Sequence, residues 1–285
     1  MPDSPRDFLA NWTASRGNLR NFLENQALAP LDDDAQKTAG EAAARAAVDS
    51  IFGLDLESYH SGVDSVQGSF ESAGAKKITQ PDPDVPQDAG AAAFFDVDNT
   101  LIQGSSLVAF AFGLYRKRYF KLREILPIAW KQLKYRVSGS ENADDVAAGR
   151  VQALDFVKGR SVEDMVALCE EIVDASLARR TYPGTNQLAQ LHVAAGQQVW
   201  LVTATPVQLA QVLAKRFGFT GALGTVPEVK DGKFTGRLLG DILHGPGKTH
   251  AVAALATIEG LDLERCTAYS DSVNDVPMPV SYTHL

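Results

Sequence analysis

Apolar residues recur along this chain in two rhythms. From position 91, short unbroken apolar runs alternate with longer stretches that carry helix signals. The runs are Ala91 to Phe95, Val199 to Val202 and the segment from Cys266 to Tyr269. Runs of this length, bounded by polar residues, read as buried strands. The stretches between them, such as His250 to Glu259, read as helices. Strand and helix in alternation predict a parallel sheet covered on both faces. Thr205-Pro206 fits an N-cap and a proline at the first helical position, opening a helix to Phe217. Lys230-Asp231-Gly232-Lys233 reads as a hairpin turn.

Residues 105–180 interrupt the alternation with helical signals only. Ser161-Val162-Glu163-Asp164 has the form of a capping box that opens a helix to about Arg180, and Tyr182-Pro183-Gly184 then breaks the chain. Residues 1–88 read as a separate acidic extension, partly disordered or helical. Asp32-Asp33-Asp34 caps a predicted helix from Ala35 to Ile51, while Pro81 to Pro86 reads as a linker. A solvated extension is the default expectation here, with partner docking as the alternative. The predicted organisation is therefore an extension at 1–88, a core at 89–104 and 181–285, and a helical insert at 105–180.

Charge changes little in this picture. The net charge is −8 over 285 residues, and residues 1–90 hold all of it, with 15 acidic and 7 basic side chains. The rest is balanced at 20 of each, so nucleic-acid binding finds no support. Two distant cysteines, Cys169 and Cys266, point to a reducing, cytoplasmic setting. The first residues carry no signal-peptide pattern, and no run approaches a membrane span. Between Tyr115 and Arg136 eight Lys or Arg stand against Glu124 alone, interleaved with aromatics. A solvated helix pair explains this; so does a cationic lid that touches a membrane surface or draws in anionic phosphates.

The chemistry concentrates at the ends of the strands. Asp96-Val97-Asp98-Asn99-Thr100 follows the first run, and Asp and Asn are poor strand residues. Residues i and i+2 leave a strand on one face, so Asp96 and Asp98 present two carboxylates together, suited to a divalent cation and to acid–base work. An acidic turn is the plainer reading of these five residues. Thr203 ends the second run and serves equally as a cap for the helix that follows. Lys248 taken alone is a surface lysine, and Asp271 and Asp275 are turn residues. Gly245-Pro246-Gly247-Lys248-Thr249 is not a P-loop, because Ile242 stands where the first glycine is required.

Taken together, D-x-D-x-T, a strand ending in Thr203, then Lys248, then Asp271-Ser272-Val273-Asn274-Asp275 resembles the haloacid dehalogenase-like phosphohydrolases, in their phosphoserine-phosphatase-like branch, over about residues 91–278. The resemblance implies a Rossmann-like α/β core with a helical cap. It implies a phosphomonoester hydrolase with Asp96 as nucleophile through an aspartyl-phosphate and Asp98 as acid and then base. Thr203 and Lys248 would bind phosphoryl oxygens, and Asn274 would hydrogen-bond the same group. Mg²⁺ would be held by Asp96, Asp98, Asp271 and Asp275. Arg150 aligns with a cap arginine that binds a substrate carboxylate. Ser105 stands where phosphoserine phosphatases carry a glutamate for the substrate ammonium. The implied substrate is a small phosphorylated metabolite of the phosphoserine type; a sugar or lipid phosphate, or a binding protein without turnover, are the alternatives. After Met278 the chain reads Pro279 to Leu285, where the family continues with a strand and helix, so the resemblance implies a core incomplete at that end.

Overall fold

The computed structural model describes residues 32–52, 80–117, 154, 157–271 and 281–284. Its elements, in chain order, are α1 (Asp33–Phe52), β1 (Ala92–Asp96), α2 (Ser106–Arg116), α3 (Val162–Ile172), α4 (Pro183–Ala194), β2 (Gln198–Pro206), α5 (Val207–Phe217), β3 (Gly221–Thr225), β4 (Pro227–Lys230), β5 (Lys233–Leu238), α6 (Pro246–Glu259), β6 (Thr267–Ser270) and β7 (Ser281–His284).

The apolar runs form the centre. Every residue of β1 is buried, as a strand with helices on both faces requires. It pairs in parallel with β2, Ala92 opposite Gln198 through Asp96 opposite Val202, and on its other side with β6, Phe95 opposite Tyr269. The sheet order is β3-β2-β1-β6-β7, all parallel. Residues alternate between the faces. Phe95, Val199, Leu201 and Tyr269 pack with α2, α3 and α5 on one side. Phe94, Trp200, Val202 and Ala268 pack on the other with α6 and α1.

Helix α1 departs from the solvated extension expected of residues 1–88. Ala39, Ala43, Ala44 and Ala47 lie at helical spacing and are buried against the sheet and α6. The approach is so close that a Cβ on Gly40 would lie 2.6 Å from the Cβ of His250 and 2.7 Å from the backbone nitrogen of Ala251. The expected helix is real, and so is its aspartate start: Asp32 Oδ1 accepts from Asp34 N–H at 3.1 Å. Its apolar side is almost all alanine. Such a stripe scores as weakly amphipathic in sequence but fits where two backbones must come close.

Other local expectations meet the structure in detail. Ser161 Oγ accepts from Asp164 N–H at 3.3 Å and opens α3. The helical path reaches Arg180, but α-helical winding stops at Ile172 and gives way to a π turn (Val173–Leu177) and a 3₁₀ turn (Ala178–Arg180). Within the π turn, Asp174 faces Arg216 of α5 and receives two guanidinium hydrogen bonds, at 2.7 and 3.0 Å. The hairpin at Asp231-Gly232 has positive φ at both positions, 51° and 72°, as a two-residue turn of that hand needs. The proposed Thr205 cap is not formed. Pro206 is the N-cap residue of α5, without a side-chain hydrogen bond, and Thr205 turns inward instead. At the sheet edge, where an edge strand was expected to be missing, β7 pairs with β6 from Thr267 opposite Ser281 to Ser270 opposite His284.

Candidate active site

Strand β1 ends at Asp96, and the chain must turn at once to return over the sheet. Val97 O accepts from the N–H groups of Leu101 and Ile102, at 3.1 and 2.9 Å. Asn99 sits at φ 60°, a left-handed conformation that Asn tolerates better than most residues, and its Oδ1 accepts from Gly104 N–H at 3.1 Å. This turn holds Asp98 above the carboxyl end of the sheet, where open α/β folds place their ligand sites.

Asp96 and Lys248 meet there. Lys248 Nζ donates to Asp96 Oδ1 at 2.8 Å, with the two residues only 5% and 7% exposed. Lys248 lies in the first turn of α6, where the partial positive charge of the helix end opposes a cation. Desolvation opposes it as well. A lysine held against both is explained by anionic company, first Asp96 and then any anion that enters beside it. The lone-surface-lysine reading does not survive this burial.

Asp98 is held by the start of α2. Its Oδ1 accepts from Ser106 N–H at 2.9 Å and from the Ser106 hydroxyl at 2.5 Å. Ser106 Oγ lies 2.9 Å from Thr205 Oγ1. The Thr203 hydroxyl donates to Thr205 Oγ1 at 3.1 Å, and Thr203 Oγ1 accepts from Thr205 N–H at 3.2 Å. Ser106, Thr203 and Thr205 are all buried. Thr100, the last residue of the D-x-D-x-T run, accepts from Asp271 N–H at 2.9 Å and ties the β1 turn to the end of β6. Asp271 itself is exposed at the same edge of the sheet.

Five of the residues singled out in sequence, Asp96, Asp98, Thr203, Lys248 and Asp271, therefore meet at one end of the sheet. Ser105 stands just before α2, its carbonyl accepting from Ala109 N–H at 3.1 Å. Arg150, Asn274 and Asp275 lie outside the described residues, as does most of the basic segment from Tyr115 to Arg136. Sequence reasoning missed Ser106 and misassigned Thr205. A serine before an apolar helix reads as a cap, and nothing local marks it as a partner of a carboxylate eight residues back.

Sequence comparison places this arrangement. The profile of the family described as haloacid dehalogenase-like hydrolase matches residues 93–278. The chain belongs to that family. It is 56% identical over 224 residues to phosphoserine phosphatase SerB1 of Mycobacterium tuberculosis, covering 79% of this chain and 70% of that protein. It is 59% identical over 196 residues to a putative hydrolase of Mycobacterium leprae, covering 69% of this chain and 65% of that one. Among solved structures, a protein of unknown function from Bordetella pertussis Tohama I superposes with a TM-score of 0.56 at 28% identity, over 67% of this chain and 86% of that one. Helix α1 lies before the part of this hydrolase that the family profile matches.

No three His, Cys, Asp or Glu side chains among the described residues gather into a metal cage. Mg²⁺ does not ask for one: it binds through one or two carboxylates, keeps several waters and takes oxygen donors throughout. The donors at this edge, Asp96, Asp98 and Asp271, are all oxygen and fit that chemistry. No helix among the described residues is long and apolar enough to cross a membrane.

Proposed function

We propose that this hydrolase cleaves small phosphomonoesters through an aspartyl-phosphate, with Mg²⁺ as cofactor and with phosphoserine-like metabolites as substrates. The observation that carries the reading is the buried Asp96–Lys248 pair at the carboxyl end of the sheet. A phosphoryl group repels an anionic nucleophile, so a fixed cation must stand beside that nucleophile before substrate arrives. Lys248 meets this requirement, and the relative named a phosphoserine phosphatase supports the substrate class.

In this mechanism the Asp96 carboxylate attacks phosphorus, and the bond from phosphorus to the substrate oxygen breaks. Asp98 gives its proton to the departing alkoxide. Asp98 then takes a proton from the water that attacks the aspartyl-phosphate, which releases inorganic phosphate and restores Asp96. Lys248 offsets charge on the phosphoryl oxygens throughout, and Thr203 joins it by turning its hydroxyl from Thr205 to the phosphoryl group once substrate is bound. Asp96, the Asp98 carbonyl, Asp271 and Asp275 would hold Mg²⁺, which would supply further charge neutralisation.

Arg150 would take an anionic group on the substrate other than the phosphate. Ser105 is neutral, so it offers no counter-charge to an ammonium, whose desolvation costs several kcal/mol. Phosphoserine is therefore expected to be turned over without strong preference over phosphoglycolate. The test is a kcat/KM comparison of the two with Mg²⁺ present, with and without chelator, on the wild type and Ser105→Glu. The expected result is metal-dependent turnover of both within about tenfold, roughly 1.4 kcal/mol, and a shift towards phosphoserine in the variant. Turnover that survives exhaustive chelation overturns the metal reading. A wild-type preference for phosphoserine above about a hundredfold overturns the reading of Ser105.

A further inference from the structure

Ser106 has no part in the mechanism above, yet it is fully buried and makes two of the contacts that define the site. Three hydroxyls, those of Thr203, Thr205 and Ser106, run in line to Asp98, and their directions can be assigned. Ser106 N–H already donates to Asp98 Oδ1, which accepts both when the carboxyl carries a proton on Oδ2 and when it carries none, so the Ser106 hydroxyl donates to that oxygen too. Ser106 Oγ must then accept from Thr205, and Thr205 Oγ1 accepts from Thr203. Every proton of the chain points towards Asp98, and hydrogen bonds aligned in this way strengthen one another. Both Ser106 donors fall on Oδ1.

We propose that Ser106 is a positioning residue for Asp98: with Thr205 and Thr203 behind it, it pins Oδ1 and turns Oδ2 towards the leaving group as the oxygen that carries protons. The inference rests on Asp98 as the acid–base group. The chain also joins three parts of the fold, the β1 turn, the start of α2 and the end of β2. A carboxylate held by one oxygen cannot rotate its two oxygens in and out of use. Orientation of that kind is set before substrate binds and acts on the step in which a proton moves, rather than on binding.

The test separates proton delivery from the rest of catalysis. Phenyl phosphate and p-nitrophenyl phosphate have nearly the same shape, but phenoxide leaves poorly without a proton and p-nitrophenoxide leaves well. The quantity read is kcat/KM, which reports steps up to leaving-group departure. Ser106→Ala keeps the backbone N–H to Asp98 and loses only the hydroxyl. It is expected to lose about tenfold on phenyl phosphate and less than about threefold on p-nitrophenyl phosphate, a fraction of what general acid catalysis contributes. Ser106→Thr, which retains the hydroxyl, restores the wild-type ratio. Thr205→Val removes the middle hydroxyl at constant shape and gives a smaller loss with the same leaving-group pattern; it decides the matter if circular dichroism shows that Ser106→Ala does not fold. Asp98→Asn is the reference, with a larger loss of the same pattern. Equal losses on both esters in the Ser106 and Thr205 variants mean a merely structural role and overturn the proposal. So does an unchanged ratio in those variants while Asp98→Asn shows the pattern, and the acid assignment then stands. If Asp98→Asn itself spares phenyl phosphate, the acid assignment falls and the positioning proposal falls with it.

Discussion

The buried pair of Asp96 and Lys248 makes a prediction that depends on which partner is removed. Breaking a buried ion pair by deleting one side leaves a charge without compensation and costs about 3–5 kcal/mol, whereas replacing both is often near neutral. Asp96→Asn is expected to abolish turnover and to lower the unfolding free energy by about 3–5 kcal/mol, because it leaves Lys248 buried without this carboxylate. Adding Lys248→Met should return most of that stability and none of the activity. Urea unfolding of the wild type, both single variants and the double variant measures the coupling. Additive losses would show that the pair is not the main electrostatic contact of either group. At this scale the sequence was legible wherever chemistry and position coincided. Asp96, Asp98 and Asp271 follow apolar runs, and carboxylates at strand ends are hard to explain by propensity. Ser106 and Thr205 were not legible, because the fold brings together two hydroxyls that stand 99 positions apart in the sequence.

Helix α1 packs closely on helix α6 at Gly40. Gly40→Ala brings a gain and a loss. Alanine improves helix propensity by about 1 kcal/mol. Its Cβ, however, would meet the Cβ of His250 at 2.6 Å, the Ala251 nitrogen at 2.7 Å and the Gly247 carbonyl oxygen at 2.9 Å. Two of these are backbone atoms and cannot turn aside, so overpacking, at about 1–3 kcal/mol, wins. Gly40→Ala should therefore lower the urea midpoint. Because α6 carries Lys248 in its first turn, kcat should fall with it while KM for p-nitrophenyl phosphate changes little. A more stable variant would show that α1 shifts without resistance. Strands β1, β2 and β6 and the 161–180 helical path were readable from runs and caps, whereas β3 and β7 were not. The docking of α1 was not, since an alanine stripe carries little apolar contrast. The end of α3 at Ile172 was not either, because the π turn serves a contact between Asp174 and Arg216, which are 42 residues apart.

Across the whole molecule, the two cysteines report on integrity rather than chemistry. Cys169 and Cys266 are 1% and 0% exposed. Burial pushes the Cys169 thiol up to about 12, and also raises Cys266 and the Tyr269 phenol above their ordinary values. The native state thus holds these protons more tightly than the unfolded chain. Their contribution to stability is complete below about pH 8.5, the ordinary cysteine value, and is lost as pH rises towards the folded values. Urea midpoints should hold steady on this account from pH 7 to 8.5 and fall at pH 9.5 and 10.5. Iodoacetamide at pH 8 should modify neither thiol without denaturant, since a protonated buried thiol is inert. Rapid native modification of Cys169 would contradict its burial.

The seating of α1 also sets an order in time. Its partners on α6 are synthesised roughly 200 residues later, which at ribosomal rates of about 5–20 residues per second is a wait of about 10–40 s. During that interval the α6 side of the helix is not yet covered. A stripe of leucines would offer the nascent chain, and its neighbours, a surface to stick to. A stripe of alanines, with Gly40 among them, exposes little that aggregates and still packs tightly once α6 and the sheet arrive. The same poverty of apolar contrast that leaves the docking of α1 unmarked in the sequence shields the helix from wrong partners while it waits.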